Sequence, residues 1–157
     1  MAGSEAAARS TDSSPEPEML SLRTQLVSAG HTKQLLAETD LMTLHIHCYG
    51  PKGGENGLHA HLDEDHVFLV LQGEAHFRGL AGPLPAVQKN QALFLPKGAQ
   101  YSFSNDGTEP LVMVRFGATE KAVQKGRRMT PDGTPIPGRG KQAGAIAPVL
   151  IDGAFFE

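Results

Sequence analysis

The sequence feature that most constrains the fold is a succession of short β-rich runs separated by turn residues. In Leu41–Tyr49, apolar residues alternate with histidine, threonine and tyrosine, and this period of two is typical of a strand. Turn signals such as the Asn-Asp-Gly run at 105–107 recur at intervals of roughly 8–12 residues between Thr32 and Phe116. Short strands at this spacing indicate an all-β fold, either an antiparallel sandwich or a barrel.

Composition excludes several classes of protein. The chain has 157 residues, the size of one domain. Its 14 Lys and Arg against 17 Asp and Glu give a net charge of -3, which excludes a strongly basic nucleic-acid binder. No apolar run approaches the ~20 residues of a membrane helix, and the N-terminus lacks the apolar centre of a signal peptide, so we expect a cytoplasmic protein that does not bind membranes. Cys48 is the only cysteine, which excludes an internal disulfide and a cysteine-based zinc motif.

Pattern and composition divide the chain into four regions. Residues 1–18 are small, polar and acidic and predict a disordered tail. Residues 19–39 predict an N-terminal extension with the first strand, and residues 40–117 predict the barrel. Prolines interrupt residues 118–157, which predict an irregular C-terminal extension.

Three segments of the extensions carry further expectations. Ser21–Gly30 and Thr119–Lys125 each have a weak pattern for one short helix. Pro148–Phe156 is apolar and has no obvious place in a barrel. We expect this end to pack across the barrel mouth or onto a second subunit, and we expect a homodimer.

Histidines are concentrated in one part of the chain. Six of the seven lie within 32 residues, at His45, His47, His59, His61, His66 and His76. Because alternate residues of a strand share a face, His59 and His61 point the same way, and an antiparallel return brings His66 to the same cavity. Three convergent imidazoles make a facial ligand set for a divalent transition metal. The alternative is that these histidines serve packing alone.

Two motifs in this region resemble those of the cupin family. The first is written G-x5-H-x-H-x3,4-E-x6-G, and its spacing is met by Gly53, His59, His61, His66 and Gly73. The second is written G-x5-P-x-G-x2-H-x3-N, and its spacing is met by Asn90, Pro96, Gly98, Tyr101 and Asn105. The resemblance covers roughly residues 40–117 and implies a small single-domain cupin, whose barrel is a double-stranded β-helix.

The chain departs from these motifs at metal-facing positions. His66 stands where the family has Glu, and Tyr101 stands where the family has its last His. The resemblance therefore implies a metal held by His59, His61 and His66, with Tyr101 as a fourth ligand. Tyr101 has two further interpretations, a proton donor or base beside the metal and a side chain that fills the barrel next to Phe103. Three neutral imidazoles would leave a divalent ion its full positive charge, which favours anionic substrates.

The resemblance implies a metal-dependent enzyme that acts on a small organic molecule. The three-His iron sites of cupin dioxygenases make oxygenase chemistry with Fe(II) the first expectation, with lyase or isomerase chemistry next, and Zn, Mn, Ni or Cu are acceptable ions. Tyr101 and His47 are the candidates for proton transfer. The alternatives are a non-catalytic cupin that binds a small ligand or acts as an accessory protein, and a metal-free cupin enzyme that uses His and Tyr.

Other side chains near the motifs have more than one interpretation. His45 and His47 share a strand face that lines the cavity, faces solvent or contacts a partner subunit. The acidic run 63–65 is expected to be a solvated turn, with a hydrogen bond to a ligand imidazole as the alternative. We expect His76 and Cys48 to be structural. A partly apolar or anionic substrate is expected in a cavity lined by Phe68, Val70, Phe94 and Phe103.

Overall fold

The protein is described by a computed structural model that covers residues 15–120, 127–136 and 146–157. Every element in these ranges is a strand, and every pairing is antiparallel. The strands are β1 Thr24–Ala29, β2 His31–Glu38, β3 Met42–Tyr49, β4 Gly54–His61, β5 Glu64–Gln72, β6 Glu74–Gly79, β7 Gly82–Pro83, β8 Val87–Gln88, β9 Ala92–Leu95, β10 Tyr101–Ser104, β11 Leu111–Thr119, β12 Arg128–Met129, β13 Pro135–Ile136 and β14 Val149–Phe156.

Two sheets form the barrel. One has five strands in the order β2-β3-β11-β5-β9, and the other has seven, in the order β13-β12-β4-β10-β6-β7 with β8 paired to β6. The core between them is built from buried side chains of both sheets, with Phe68 and Met113 from the first and Phe77 and Phe103 from the second. The predicted all-β barrel is confirmed.

Strand β3 buries both of its faces, and the period of two in its sequence sorts them. Its even-numbered side chains, among them Ile46 and Cys48, belong to a second core on the outer face of the five-stranded sheet. Tyr49 belongs to the core inside the barrel, and His45 and His47 share its parity and are also buried. Alternation along one strand therefore places apolar groups outside and imidazoles inside.

The second core is covered by a two-stranded ribbon of β1 and β14. The register pairs Thr24 with Phe156 and Val27 with Leu150. Val27 is fully buried in the outer core, and Phe156 packs against it. The ribbon thus adds a third layer that seals the outer face of the five-stranded sheet.

This ribbon corrects two expectations about the extensions. The predicted short helix over Ser21–Gly30 is wrong, because Thr24–Ala29 is a strand whose partner lies more than 120 residues later in the chain. The C-terminal extension contains β12, β13 and β14 and is more regular than its prolines suggested. Its apolar end pairs with β1 within the same chain. Most of the second predicted helix, Thr119–Lys125, and most of the tail lie outside the described residues.

The described part of the chain contains no helix that is long and apolar enough to cross a membrane.

Removal of residues 149–157 tests the role of the ribbon. We expect the truncated protein to lose several kcal/mol of unfolding free energy, because it exposes buried apolar groups worth about 25 cal/mol per Å². Urea unfolding measures the loss. Leu150→Ala is the matched control, since Leu150 is 51% exposed and its truncation should cost within about 0.5 kcal/mol. An unchanged unfolding curve for the truncated protein would contradict the sealing role.

Candidate metal centre

Strand β4 supplies two of the predicted ligands. His59 and His61 lie on the same face of β4, with ring centroids 5.3 Å apart, and His59 is almost fully buried. β4 pairs with β10, so that Tyr101 lies opposite His59 with ring centroids 4.6 Å apart. On its other edge β4 pairs with β12, which places Arg128 opposite His61. These pairings fix both imidazoles inside the barrel.

Strand β5 supplies the third imidazole and an unexpected carboxylate. The ring of His66 lies 4.2 Å from that of His61, centroid to centroid. Glu64 Oε2 lies 3.1 Å from His66 Nε2, which donates a hydrogen bond to it, and 3.7 Å from His61 Nδ1. The ligand atoms of these three side chains lie within 4.8 Å of one another, which is close to the distance of about 4 Å that two bonds of about 2.0–2.2 Å to one ion span.

The expectation that residues 63–65 form a solvated turn is wrong for two of the three. β5 begins at Glu64, and because strand residues alternate, Glu64 shares the inner face with His66 and Phe68. Asp63 is buried, and Arg127 donates to it through Nε at 2.6 Å and Nη2 at 2.5 Å. This contact lowers the pKa of Asp63. The carboxylate that the family motif places at position 66 is therefore present two residues earlier on the same face.

Glu55 is a second acidic side chain that the sequence analysis missed. It lies four residues before His59 on β4, and its Oε2 is 3.2 Å from His59 Nε2. His59 Nδ1 donates to the carbonyl oxygen of Gly57 at 2.9 Å, so its Nε2 faces the Glu55 carboxylate. A cation held between these two atoms, either a proton or a metal ion, satisfies both. A hydrogen bond from the second nitrogen to a carbonyl is typical of metal-binding histidines.

The charge state of the cluster suits a divalent cation. Burial, followed by the neighbouring imidazoles and Arg115, lowers the pKa of His61 to about 2, and burial lowers that of His66. Neutral imidazole is the form that binds metals. The hydrogen bond from His66 lowers the pKa of Glu64. Two carboxylates therefore accompany the imidazoles, which corrects the expectation of an all-imidazole site that leaves a bound ion its full charge.

Two buried imidazole nitrogens without hydrogen bonds also indicate that these residues fit a metal. His59 Nε2 and His61 Nδ1 are buried and make no hydrogen bond among the described residues. A buried nitrogen without a partner is costly, and coordination to a cation would satisfy both. The donor set of imidazoles and carboxylates fits a divalent transition metal.

Comparison with known proteins identifies the domain that carries these side chains. Residues 45–116 match the family model described as the cupin domain. These residues of the chain therefore form a cupin domain. None of the curated proteins matches it in sequence.

Solved structures share the cupin fold at low sequence identity. The TT1209 protein of Thermus thermophilus is 21% identical with a TM-score of 0.52, over 57% of this chain and 84% of that one. An uncharacterized conserved protein of Klebsiella pneumoniae with a double-stranded β-helix domain is 18% identical, with a TM-score of 0.58 over 69% and 95%. SPY1581 of Streptococcus pyogenes, of unknown function, is 18% identical with a TM-score of 0.56 over 74% and 99%.

Tyr101 lies inside the cupin barrel beside the imidazoles. Only 2% of it is exposed, and its ring contacts those of Phe68 and Phe77 as well as His59. Burial, reinforced by the charge of Glu55, raises its pKa well above the ordinary value. The side chain therefore carries a neutral phenol in the protein as described, which suits hydrogen-bond donation.

The remaining candidates fall on both sides of the barrel wall. His45 and His47 both point into the barrel, as one of their interpretations required. His76 is 38% exposed and paired with Glu74 at 2.7 Å. The expectation that Phe94 lines the cavity is wrong, because β9 turns it outward, where it is 61% exposed. Cys48 is fully buried in the outer core.

The buried imidazoles predict acid sensitivity of the metal-free protein. The pKa of His47, of His61 and of His66 is lowered in the folded state, while an unfolded imidazole titrates near pH 6.5. Below about pH 6.5 the unfolded chain therefore binds protons that the folded protein does not bind. We expect stability to fall by up to about 1.4 kcal/mol per imidazole and pH unit, starting near pH 6.5.

Urea unfolding of chelator-treated protein at pH 7.5, 6.5 and 5.5 measures this effect. For His61 the loss should continue down to its folded pKa of about 2, so His61→Gln should show a shallower fall than the wild type over the same range. Parallel curves for the two proteins would contradict the assignment of a neutral His61.

Proposed function

We propose that this cupin is a metal-dependent enzyme that acts on a small organic molecule. The observation that carries the proposal is the buried group of His61, Glu64 and His66, with His59 adjacent and two imidazole nitrogens unpartnered. Such a group is costly to bury for structural reasons alone, since desolvated polar atoms without partners destabilise a fold. A divalent ion held by these side chains would satisfy the unpartnered nitrogens and neutralise the carboxylates.

Oxygenase chemistry is the first form of this proposal, with Fe(II) as the ion. It rests on the resemblance of the His59, His61 and His66 set to the three-His iron sites of cupin dioxygenases. A bound metal would supply Lewis acidity and, in the case of iron, redox chemistry with dioxygen. Glu64 and Glu55 lower the net positive charge that a substrate would meet at the centre.

Lyase or isomerase chemistry is the second form, and the proton-bearing groups of the barrel favour it. Tyr101 holds its phenolic proton next to the metal-binding imidazoles and can donate it to a developing oxyanion. His47 is neutral, because burial together with Arg115 lowers its pKa well below the ordinary value. Phe68 and Phe103 belong to the buried core that surrounds these groups. A positioned phenol that donates a proton suits elimination or isomerisation beside a carbonyl group.

Metal analysis of the purified protein tests the proposal. We expect near-stoichiometric transition metal by mass spectrometry in the wild type, and loss of most of it in His61→Ala/His66→Ala, because two ligands are removed. His76→Ala is the matched control. His76 is 38% exposed and pairs with Glu74 away from the candidate ligands, so this substitution should leave the metal content unchanged.

The identity of the metal then decides between the two forms. Iron with substrate-dependent oxygen uptake supports oxygenase chemistry, and zinc without it supports the lyase or isomerase. If the wild type binds no metal even after reconstitution, the metalloenzyme proposal is wrong. A tight organic ligand would then favour the non-catalytic cupin, and activity that survives chelators would favour the metal-free enzyme.

Tyr101→Phe separates the roles of that side chain. The substitution removes only the hydroxyl and keeps the ring that packs on His59 and Phe68. We expect the metal content to stay within about twofold of wild type, because a neutral phenol is a poor ligand, and turnover to fall by about 10²–10⁴ once a substrate is in hand. Loss of the metal in Tyr101→Phe would instead make Tyr101 a ligand, and retained metal with unchanged turnover would make it structural.

A further inference from the structure

A second polar cluster lies inside the barrel, on strands that do not carry the metal-binding imidazoles. Its members are Arg115 on β11 and His45 and His47 on β3. The register places Arg115 opposite His45 and Met113 opposite His47. Since paired residues share a face and Met113 belongs to the inner core, all three point into the barrel.

Arg115 makes one side-chain hydrogen bond among the described residues. Its Nη2 donates to His45 Nδ1 at 3.2 Å, because a guanidinium has no acceptor. Its Nε is buried and has no hydrogen-bond partner, and no described carboxylate lies within ion-pair distance of the guanidinium. Arg115 therefore brings a positive charge and an unsatisfied donor into the barrel, where its charge also acts on the carboxylates of Glu55 and Glu64.

His47 presents a second unsatisfied donor. The hydroxyl of Tyr49 lies 3.2 Å from His47 Nδ1 and has no other hydrogen-bond partner in the described ranges. The phenol therefore donates to Nδ1, which leaves the proton of the neutral ring on Nε2. His47 Nε2 is buried without a partner, although the side chain is only 4% exposed. The two open positions of the cluster are thus both donors, and both require an acceptor.

The edge strand β2 borders the cluster. His31 and Lys33 pair with Tyr49 and His47 and share their face, yet both are exposed while their partners are buried. The ring of His31 stacks on that of Tyr49, with centroids 4.7 Å apart. Leu35, opposite His45, is 49% exposed. The side chains of β2 beside the cluster therefore reach solvent, and they include a lysine and an apolar side chain.

The cluster also lies close to the candidate metal centre. The charge of Arg115 acts on the pKa of His61, Glu64 and His66, and it also acts on that of His47. Along β11, Gly117 follows Arg115 on the same face and pairs with His66, and a Cβ at position 117 would lie 3.5 Å from the His66 ring. A group held by Arg115 would therefore lie beside the metal-binding side chains.

The geometry points to Arg115 and His47 as the binding subsite for a carboxylate of the substrate, which enters along β2 and keeps its apolar part near Leu35. A planar carboxylate matches a guanidinium edge and accepts from a second donor with its other oxygen. This inference rests on the proposed function, because it names the substrate class of the same barrel as small organic carboxylates. Arg115 and His47 act here by holding the substrate.

Binding of acetate and benzoate to the full chain tests the inference, with acetamide and benzamide as neutral controls of the same shape. We expect calorimetry to show that benzoate binds at least tenfold more tightly than benzamide, and that Arg115→Gln loses at least tenfold in benzoate affinity. Arg78→Gln is the matched control, since Arg78 is exposed on β6. Equal benzoate affinity of Arg115→Gln and wild type would overturn the inference, as would equal binding of benzoate and benzamide.

A spectroscopic measurement on the wild type covers the case in which Arg115→Gln fails to fold. In ¹⁵N-labelled protein, the Nε–H resonance of Arg115, assigned through its loss in Arg115→Lys, should shift on addition of benzoate. An unmoved resonance at saturating benzoate would overturn the subsite.

The same titration after chelation separates this inference from the proposed function. Benzoate binding that persists without metal and moves the Arg115 resonance supports the subsite, even if the metal analysis fails. Binding that disappears with the metal and leaves the Arg115 resonance unmoved places the carboxylate on the ion, which overturns the subsite while the metalloenzyme proposal stands.

Discussion

The structure depends on the pairing of β3, which is buried on both faces, with β11, which is buried on both faces over Leu111–Val114. Eight consecutive pairs, from Leu111 with Tyr49 to Ala118 with Met42, hold them in register. One face of this pair belongs to the outer core under the β1–β14 ribbon, and the other faces the barrel interior. A slip of one residue would exchange the two faces and would send His45, His47 and Arg115 into an apolar layer. The alternation of side chains along two strands therefore separates the part of the protein that stabilises it from the part that can bind a ligand.

The barrel interior is itself divided along its length. At one end, aromatic side chains such as Phe68, Phe77 and Phe103 pack at centroid distances of 5.2–5.7 Å and fill the space between the sheets. At the other end, imidazoles and carboxylates hold one another, as in the contact of Glu64 with His66. In a low-dielectric setting these polar contacts are stronger than in water, and each missing partner is more costly. Among the described residues, four of the buried atoms that lack a hydrogen bond belong to His47, His59, His61 and Arg115, where an ion or a substrate would offset the cost of burying them.

Much of the fold could be predicted from the sequence, because the relevant signals are local. The period of two in Leu41–Tyr49 and the turn residues between strands predict β-structure without knowledge of the partners, and the two motifs predict the barrel. The helix predicted over Ser21–Gly30 failed for the opposite reason. β1 is a strand because it pairs with β14, more than 120 residues later in the chain, and buries Val27 in the outer core. No local pattern contains that partner.

The candidate site was predictable in part for related reasons. His59, His61 and His66 follow from motif spacing, and the structure brings their rings within 4.2–5.3 Å of a neighbour in the set. Glu64 was assigned to a turn because three consecutive acidic residues suggested exposure to solvent. In the structure β5 begins at Glu64, and of the three acids only Glu64 points into the barrel. The signal that would have identified it is its position two residues before His66, since alternate residues of a strand share a face. Glu55 had no such signal, since its approach to His59 depends on how β4 pairs with β10.

The β1–β14 ribbon also has a consequence for how the chain folds. Its hydrogen bonds join residues that lie far apart in the chain, such as Gln25 and Ile151, which are 126 positions apart. Its closure therefore carries a large loop entropy and occurs after the local hairpins. During synthesis the outer face of the five-stranded sheet is complete before β14 has been made. The outer core around Ile46 is then only partly covered, because β1 has no partner strand. The nascent protein therefore exposes an apolar sheet face of the kind that chaperones bind.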